Sequence, residues 1–251
     1  MNNFVELGQI VALQTYPILF ATVSGAHLYG FASPDSDYDL RGVHILPLPE
    51  IIGLNVPQET IEISEINKNF ELDLVTHDLK KFCKLLLKRN GYVLEQLYSC
   101  LVIHTTPEHQ ELKAIAENCI TCHHVHHYLG FAKTQWKLLT KDNTLPKVKS
   151  LLYLYRVLLT GIHLMQSGKI EANLSQLNQK FNLSYIPDLI AQKISGTEKA
   201  IASDFSWEFH EREYASLRNK LTLASANSYL PDMATAKPAL NDFLVRIRLN
   251  I

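Results

Sequence analysis

Several things are scarce or missing in this chain of 251 residues. Four cysteines (Cys83, Cys100, Cys119, Cys122) are too few to staple a disulfide scaffold of this length, and they read as reduced thiols. No apolar run approaches the ~20 uninterrupted residues that a membrane-crossing helix requires, so a membrane partner is not expected. The opening Met-Asn-Asn-Phe-Val-Glu has neither the basic start nor the apolar stretch of a secretion signal. There is no internal repeat and no low-complexity tract. The expectation is a cytoplasmic globular protein, and 47% hydrophobic with 20% charged residues agrees with it. An excess of one charge is missing too: the formal net charge is −1. That total hides an asymmetry. Residues 1–120 hold 8 Lys/Arg against 15 Asp/Glu, a net of −7, and residues 121–251 hold 16 against 10, a net of +6. Either the two halves attract one another, or an acidic metal-holding part faces a basic phosphate-holding part.

Periodicity gives the organisation. Residues 4–13 have helical spacing, and Ile18 to Val23 is a short apolar run ended by Ser24-Gly25, a buried strand followed by a tight turn. Residues 37–46 alternate polar and apolar with period two, as do 60–64 and 70–76, which predicts three more strands. Helices are expected from His77 or Asp78 to Lys88 and over 91–99. Beyond Pro107 the patterns are long and helical, over 108–118, 122–140 and 147–166. The expected fold is α+β: a mixed β-sheet lobe with flanking helices over residues 1–105, then a mainly helical lobe over 106–251 that closes over the site.

The chemistry concentrates in Ser24-Gly-Ala-His-Leu-Tyr-Gly-Phe-Ala-Ser-Pro-Asp-Ser-Asp-Tyr-Asp-Leu-Arg-Gly-Val43. Positions i and i+2 of a strand share a side, so Asp37 and Asp39 project together. Adjacent carboxylates repel, and a bound divalent cation keeps both ionised. Oxygen donors suit Mg²⁺ or Mn²⁺, which also bridge substrate phosphates. Two-metal phosphoryl chemistry calls for a further carboxylate, and Asp73 on the expected neighbouring strand supplies it, with Glu71 on the same face as second choice. The turn at Ser24, Gly25 and Ala26 is placed to bring backbone N–H groups to a triphosphate. An Asp-x-Asp alone is common at solvated edges and turns. The strand, glycine turn, Pro34 loop and strand-opening position together set this pair apart.

This segment resembles the signature of the DNA polymerase beta-type nucleotidyltransferase superfamily. The strings SGAHLYGFASPDSDYDLRGV and ELDLVTHDLKKFCKLLLKRNGYVLEQLY are similar, more narrowly, to a bacterial and phage family of nucleotidyltransferases linked to RNA repair. The resemblance is close over residues 20–100 and weaker beyond. It implies transfer of a nucleoside monophosphate from a nucleoside triphosphate to an acceptor hydroxyl, with an RNA end as one acceptor. Asp37 and Asp39 match the metal-binding pair, and Asp73 the third acidic position, which also serves as general base. Gly25 matches the turn glycine. Ala26 departs from the pattern, which has Ser there. That departure supports a second reading, a nucleotide-binding sensor or interaction module without catalysis. A protein-modifying adenylyltransferase of antitoxin type is a third. Arg41 either reaches a phosphate oxygen or pairs with an aspartate. His27 and Tyr29 either line the nucleotide pocket or pack the loop.

In the helical half Lys149, Tyr153, Arg156, Thr160 and His163 follow spacings of four, three, four and three, one polar stripe on a helix. The stripe is either a solvent face or a face turned to the acidic lobe, where Lys149 and Arg156 meet phosphates. Cys119-Ile-Thr-Cys-His-His-Val-His-His127 has no second distant pair to close a tetrahedral zinc site, and its contiguous side chains diverge around a helix start. The sequence therefore gives no reason to place zinc there. On this basis, relief of carboxylate repulsion predicts that Asp37→Asn and Asp39→Asn both keep or raise the metal-free melting temperature.

Overall fold

A computed structural model describes residues 2–66, 70–141, 145–196 and 206–250. In chain order the elements are α1 (Asn2–Ala12), β1 (Ile18–Val23), α2 (Gly25–Tyr29), β2 (Tyr38–His44), α3 (Leu48–Ile52), β3 (Thr60–Ile66) and β4 (Glu71–Asp78). There follow α4 (Leu79–Leu87), α5 (Gly91–Leu97), β5 (Val102–Thr105) and α6 (Pro107–Ala116). After two short 3₁₀ turns come α7 (Val125–Leu139), α8 (Val148–Ser167), α9 (Leu174–Phe181), α10 (Tyr185–Ser195), α11 (Trp207–Ala226) and α12 (Lys237–Leu249). The fold is α+β, as expected. The chain divides into two compact units, one of residues 1–28, 37–120 and 233–251, the other of residues 29–36 and 121–232.

The first unit is built on a five-stranded sheet in the order β3-β4-β2-β1-β5. β2 and β4 run parallel and the other neighbours antiparallel, so the sheet is mixed. Period two sorts its side chains. Ala21, Val23, Leu40, Leu72 and Leu74 point to one face, where Leu7 and Val11 of α1 cover them. The intervening residues point to the other face, where Phe20 meets Phe82 of α4 edge-on at 5.5 Å and stacks on His109 of α6 at 4.3 Å. Asp78 ends β4 and caps α4 by accepting from the Lys80 amide at 2.8 Å. Asn90 caps α5 in the same way, accepting from Tyr92 N–H at 3.0 Å.

A single break after residue 105 does not describe this division. β5, which the sequence pattern did not reveal, and α6 complete the sheet unit. α12 returns to it from the far end of the chain. Arg248 of α12 donates two bonds to the buried Asp78 carboxylate, at 2.6 and 2.8 Å, and one to Leu46 O at 2.8 Å. A buried carboxylate needs a charged partner beside the Lys80 and Leu46 amides that it also accepts from, and among the described residues Arg248 of the C-terminal helix supplies it.

In the second unit α8 is the central element, and fifteen of its residues are buried. Gly161 has no side chain, and a Cβ there would lie 2.8 Å from Cβ of Tyr128, so α7 and α8 approach closely at that point. The segment 29–36 belongs to this unit. Tyr29 and Phe31 set their rings edge-on to Tyr153 at 5.5 and 5.6 Å, and Lys193 donates to the Ser33 hydroxyl.

Candidate active site

The register of the sheet assembles the site in the first unit. On the parallel pair β2/β4, Asp39 stands directly opposite Asp73, and both share parity with the face covered by α4 and α5. Asp37 lies two residues before Asp39, just ahead of the first paired position, Tyr38 with Leu72. Glu71 is exposed at the start of β4. β1 runs antiparallel to β2 and places Val23 opposite Leu40, so the chain turns at Ser24-Gly25 beside Asp39. The Ser24 amide bonds Asp39 O at 2.8 Å and fixes that turn.

Gly25 has φ +60°, and a Cβ built on it would lie 1.8 Å from Asp39 Oδ2. Any side chain here would displace the carboxylate, and the left-handed backbone itself favours glycine. The glycine turn is thus the seat of Asp39. Ala26 is buried, and the Ser24 hydroxyl is buried with no hydrogen-bond partner among the described residues. An orphaned hydroxyl of this kind is costly, and it lies next to the turn where a ligand oxygen would satisfy it.

Arg41, two positions along β2, lies between the two strands. Its Nη2 donates to Asp39 Oδ1 at 2.6 Å and to Asp73 Oδ2 at 2.8 Å. Its Nη1 donates to Asp73 O at 2.6 Å and Leu40 O at 3.0 Å, and its Nε to the Tyr92 hydroxyl at 3.3 Å. Burial works against the guanidinium charge but is outweighed by Tyr92, Asp39 and Asp73, which together hold it firmly protonated. Ser64 of β3 donates to the other Asp73 oxygen at 3.4 Å. Tyr92 and Ser64 are contacts the sequence reading did not name. Their only signal is position, one at the start of α5 and one opposite Asp73 on β3.

The donor set suits a divalent cation. Three carboxylates against one arginine leave excess negative charge and hard oxygen ligands, and the glycine seat turns one carboxylate into place. In the structure the cationic position between Asp39 and Asp73 is held by Arg41. The three aspartates are not gathered around one point: among the described residues, the group whose ligand atoms all lie within 4.8 Å is Cys122, His123 and Asp232.

The remaining candidates are placed as follows. His27 stacks on Tyr38 with ring centroids 4.1 Å apart. Tyr29 is buried in the second unit, where the Arg156 guanidinium lies 3.9 Å from its ring centroid. Lys149 is half-buried, with its ammonium 5.8 Å from the centroid of Tyr153. A solvent face for this stripe is excluded, because Arg156 is 2%, Thr160 0% and His163 7% exposed. The physical reason is that α8 is enclosed within its unit, and polar residues at helical spacing look alike whether they face water or other helices.

A mixed sheet carrying paired aspartates beside a glycine turn defines the class, that of the nucleotidyltransferase fold. The chain belongs to the RNA repair pathway DNA polymerase beta family, whose sequence profile it matches over residues 2–246. It is 38% identical over 158 residues to an uncharacterized protein of Methanocaldococcus jannaschii, covering 62% of this chain and 64% of that protein. It is 31% identical over 168 residues to the uncharacterized protein YcgL of Bacillus subtilis, covering 66% of this chain and 63% of that one. The matches thus span a little under two thirds of each relative. Among solved structures, spectinomycin adenyltransferase AAD(9) of Enterococcus faecialis, determined with ATP and spectinomycin, has a TM-score of 0.46 at 13% identity, covering 88% of this chain and 99% of that one. A nucleotidyltransferase-like protein of Exiguobacterium sibiricum has a TM-score of 0.33 at 10% identity, covering 100% and 78%. Among the described residues no helix is long and apolar enough to cross a membrane.

Proposed function

We propose that the protein is a metal-dependent nucleotidyltransferase that moves a nucleoside monophosphate from a nucleoside triphosphate to an acceptor hydroxyl and releases pyrophosphate. The observation that carries this reading is the register pair Asp39 and Asp73 on adjacent parallel strands, with Gly25 seating the Asp39 carboxylate. Mg²⁺ or Mn²⁺, held by Asp37, Asp39 and Asp73, would supply Lewis acidity at the α-phosphate and charge stabilisation on the leaving pyrophosphate. Asp73 takes the proton of the acceptor hydroxyl, and its outer position fits that part, since its side chain is 38% exposed against 19% for Asp39. The backbone amides at Gly25 and Ala26 and the Ser24 hydroxyl meet phosphate oxygens. Arg41 holds the two carboxylates in the resting protein, and with a cation bound between them its guanidinium would be free to serve a phosphate oxygen. Arg156 acts through Tyr29, fixing the segment that continues from the glycine turn. The family suggests an RNA end as acceptor.

A sensor or interaction module without catalysis is the second reading. Ala26 in place of Ser and the guanidinium bridging Asp39 and Asp73 favour it. Incubation with each α-labelled triphosphate, Mg²⁺ or Mn²⁺, and RNA, protein or small-molecule acceptors separates the readings. The proposal expects metal-dependent label on one acceptor class, lost in Asp39→Asn. Label on protein alone would make it an adenylyltransferase of antitoxin type. Bound nucleotide with no label on any acceptor would make it the silent module.

A further inference from the structure

The segment from Cys119 to His127 finds its distant partner only in three dimensions. Within the second unit, Cys122 Sγ lies 3.2 Å from Asp232 Oδ1, and His123 Nε2 lies 3.8 Å from the same oxygen. All three ligand atoms fall within 4.8 Å of one another. We propose that Cys122, His123 and Asp232 form a binding site for a transition-metal dication of the zinc type, separate from the carboxylate site of the sheet unit.

Three observations carry this. First, the spacing matches the edges of a tetrahedron. Bonds of roughly 2.0–2.3 Å from one ion to S, N and O leave those donors about 3.3–3.5 Å apart. Two of the separations, 3.2 and 3.8 Å, straddle that range, and the third lies within 4.8 Å. Second, the donor set is one thiol, one imidazole and one carboxylate. That mixture selects Zn²⁺ over Mg²⁺, which demands oxygen donors. Third, the ligands are held in place by their own backbone. Cys122 N–H donates to Pro231 O at 3.1 Å, next to Asp232, and the Ser225 hydroxyl donates to Cys122 O at 3.2 Å. A capping box between Thr121 and His124 fixes the turn that carries Cys122 and His123. His126 stacks on His123 at 5.9 Å with an interplanar angle of 10°, which steadies that ring, and the exposure of Asp232 leaves the fourth position open to water.

Cys122 and His123 stand at the start of the helical unit's main segment, residues 121–232, and Asp232 at its end. An ion shared by them closes a loop of 110 residues, a clip that restricts the unfolded chain more than a short one does. Binding converts the Cys122 thiol to a thiolate, and its proton passes to water, so affinity falls as the pH is lowered. The other cysteines are unsuited to this task. Cys83 and Cys119 are buried, with burial pushing their thiols up to about 12 and about 11, and Cys100 lies in the other unit.

The test uses the full-length protein, stripped with a chelator and titrated with Co²⁺ as a spectroscopic probe. The wild type is expected to take up a single equivalent showing a sulfur-to-cobalt charge-transfer band and tetrahedral ligand-field absorption, both removed by added Zn²⁺. Cys122→Ala should lose the charge-transfer band. Asp232→Asn, a change at an exposed side chain that leaves folding untouched, should weaken binding by more than about tenfold, the scale seen even for outer-shell partners. Asp37→Asn should keep the sulfur-to-cobalt band at wild-type strength, which separates this site from the carboxylate site. Zn²⁺ should also raise the melting temperature of the wild type and of Asp37→Asn, and not that of Cys122→Ala. A wild-type spectrum without a thiolate band, or a band that survives in Cys122→Ala, would overturn the proposal.

Discussion

Gly25 and Arg41 govern what the carboxylates can do. At Gly25 the lack of a side chain is the functional property, because the space a methyl would fill is occupied by Asp39 Oδ2. Gly25→Ala is expected to cost about 1–2 kcal/mol from the left-handed backbone alone. It should also abolish nucleotide transfer by displacing Asp39, with the far-ultraviolet circular dichroism unchanged. Retained transfer in that variant would show that the seat is dispensable. Arg41 changes an expectation based on repulsion alone. Asp39 is not an unpaired carboxylate beside Asp37, because it accepts from a nearly buried guanidinium at 2.6 Å. Asp39→Asn should therefore lower metal-free stability by about 1.5–3 kcal/mol, the value of a hydrogen bond to a charged group. Asp37→Asn should leave the melting temperature unchanged or raise it. Equal melting temperatures for the two variants in chelator would contradict the asymmetry. The Asp37–Asp39 pair and the turn glycine were legible in the sequence because strand parity and the Ser-Gly turn are local. The guanidinium bridge was only half legible: parity put Arg41 beside Asp39, but its reach to Asp73 depends on which strand lies next to β2.

At the level of elements, local periodicity worked where one face is buried and failed where length or enclosure erased the pattern. β1, β2, β3 and β4 and the helices α4, α7 and α8 lie where spacing put them, within a few residues. β5 has four residues and too little alternation to stand out, and α3 has five. The last part of the chain was legible only as mainly helical, and the place of α12 in the sheet unit was not legible, because the pairing of Arg248 with Asp78 spans 170 residues. That pair is nearly buried, with side-chain exposures of 5% and 2%. Arg248→Ala should therefore cost about 3–5 kcal/mol in urea denaturation by leaving a carboxylate uncompensated. A loss under about 1 kcal/mol, the range of a surface pair, would mean that α12 is not anchored there. The packing of histidines between elements gives a pH dependence. Burial, the main cause in each case, lowers His77 in β4, His109 in α6 and His127 in α7 from 6.5 to about 4. Between those values the unfolded chain binds more protons than the native one, so stability contributed by the neutral rings is complete above about pH 6.5 and is lost towards pH 4. Melting temperatures should fall across that window. A rise on acidification would contradict the buried neutral state.

Across the whole molecule, the charge asymmetry read along the chain is smaller than the sequence halves suggest. The sheet unit holds 11 Lys/Arg and 15 Asp/Glu, a net of −4, and the helical unit 13 and 10, a net of +3. The difference from −7 and +6 arises chiefly because Lys237, Arg246 and Arg248 return with α12 to the acidic unit, where Arg246 meets Glu111 and Arg248 meets Asp78. Part of the asymmetry is thus local pairing over long chain separation, and what remains still leaves the carboxylate-bearing unit negative. A negative unit with paired aspartates is suited to a cation that then attracts a triphosphate. The direct test is the melting temperature with and without Mg²⁺ and nucleoside triphosphate, for the wild type, Asp37→Asn and Asp39→Asn. Mg²⁺ is chosen because a thiol- and imidazole-bearing site does not favour it. Since ligand binding to the native state alone raises stability by mass action, the wild type should show a shift that requires both Mg²⁺ and triphosphate. Both variants should show none. A wild-type shift preserved in both variants would contradict the assignment of the metal–nucleotide site to these carboxylates.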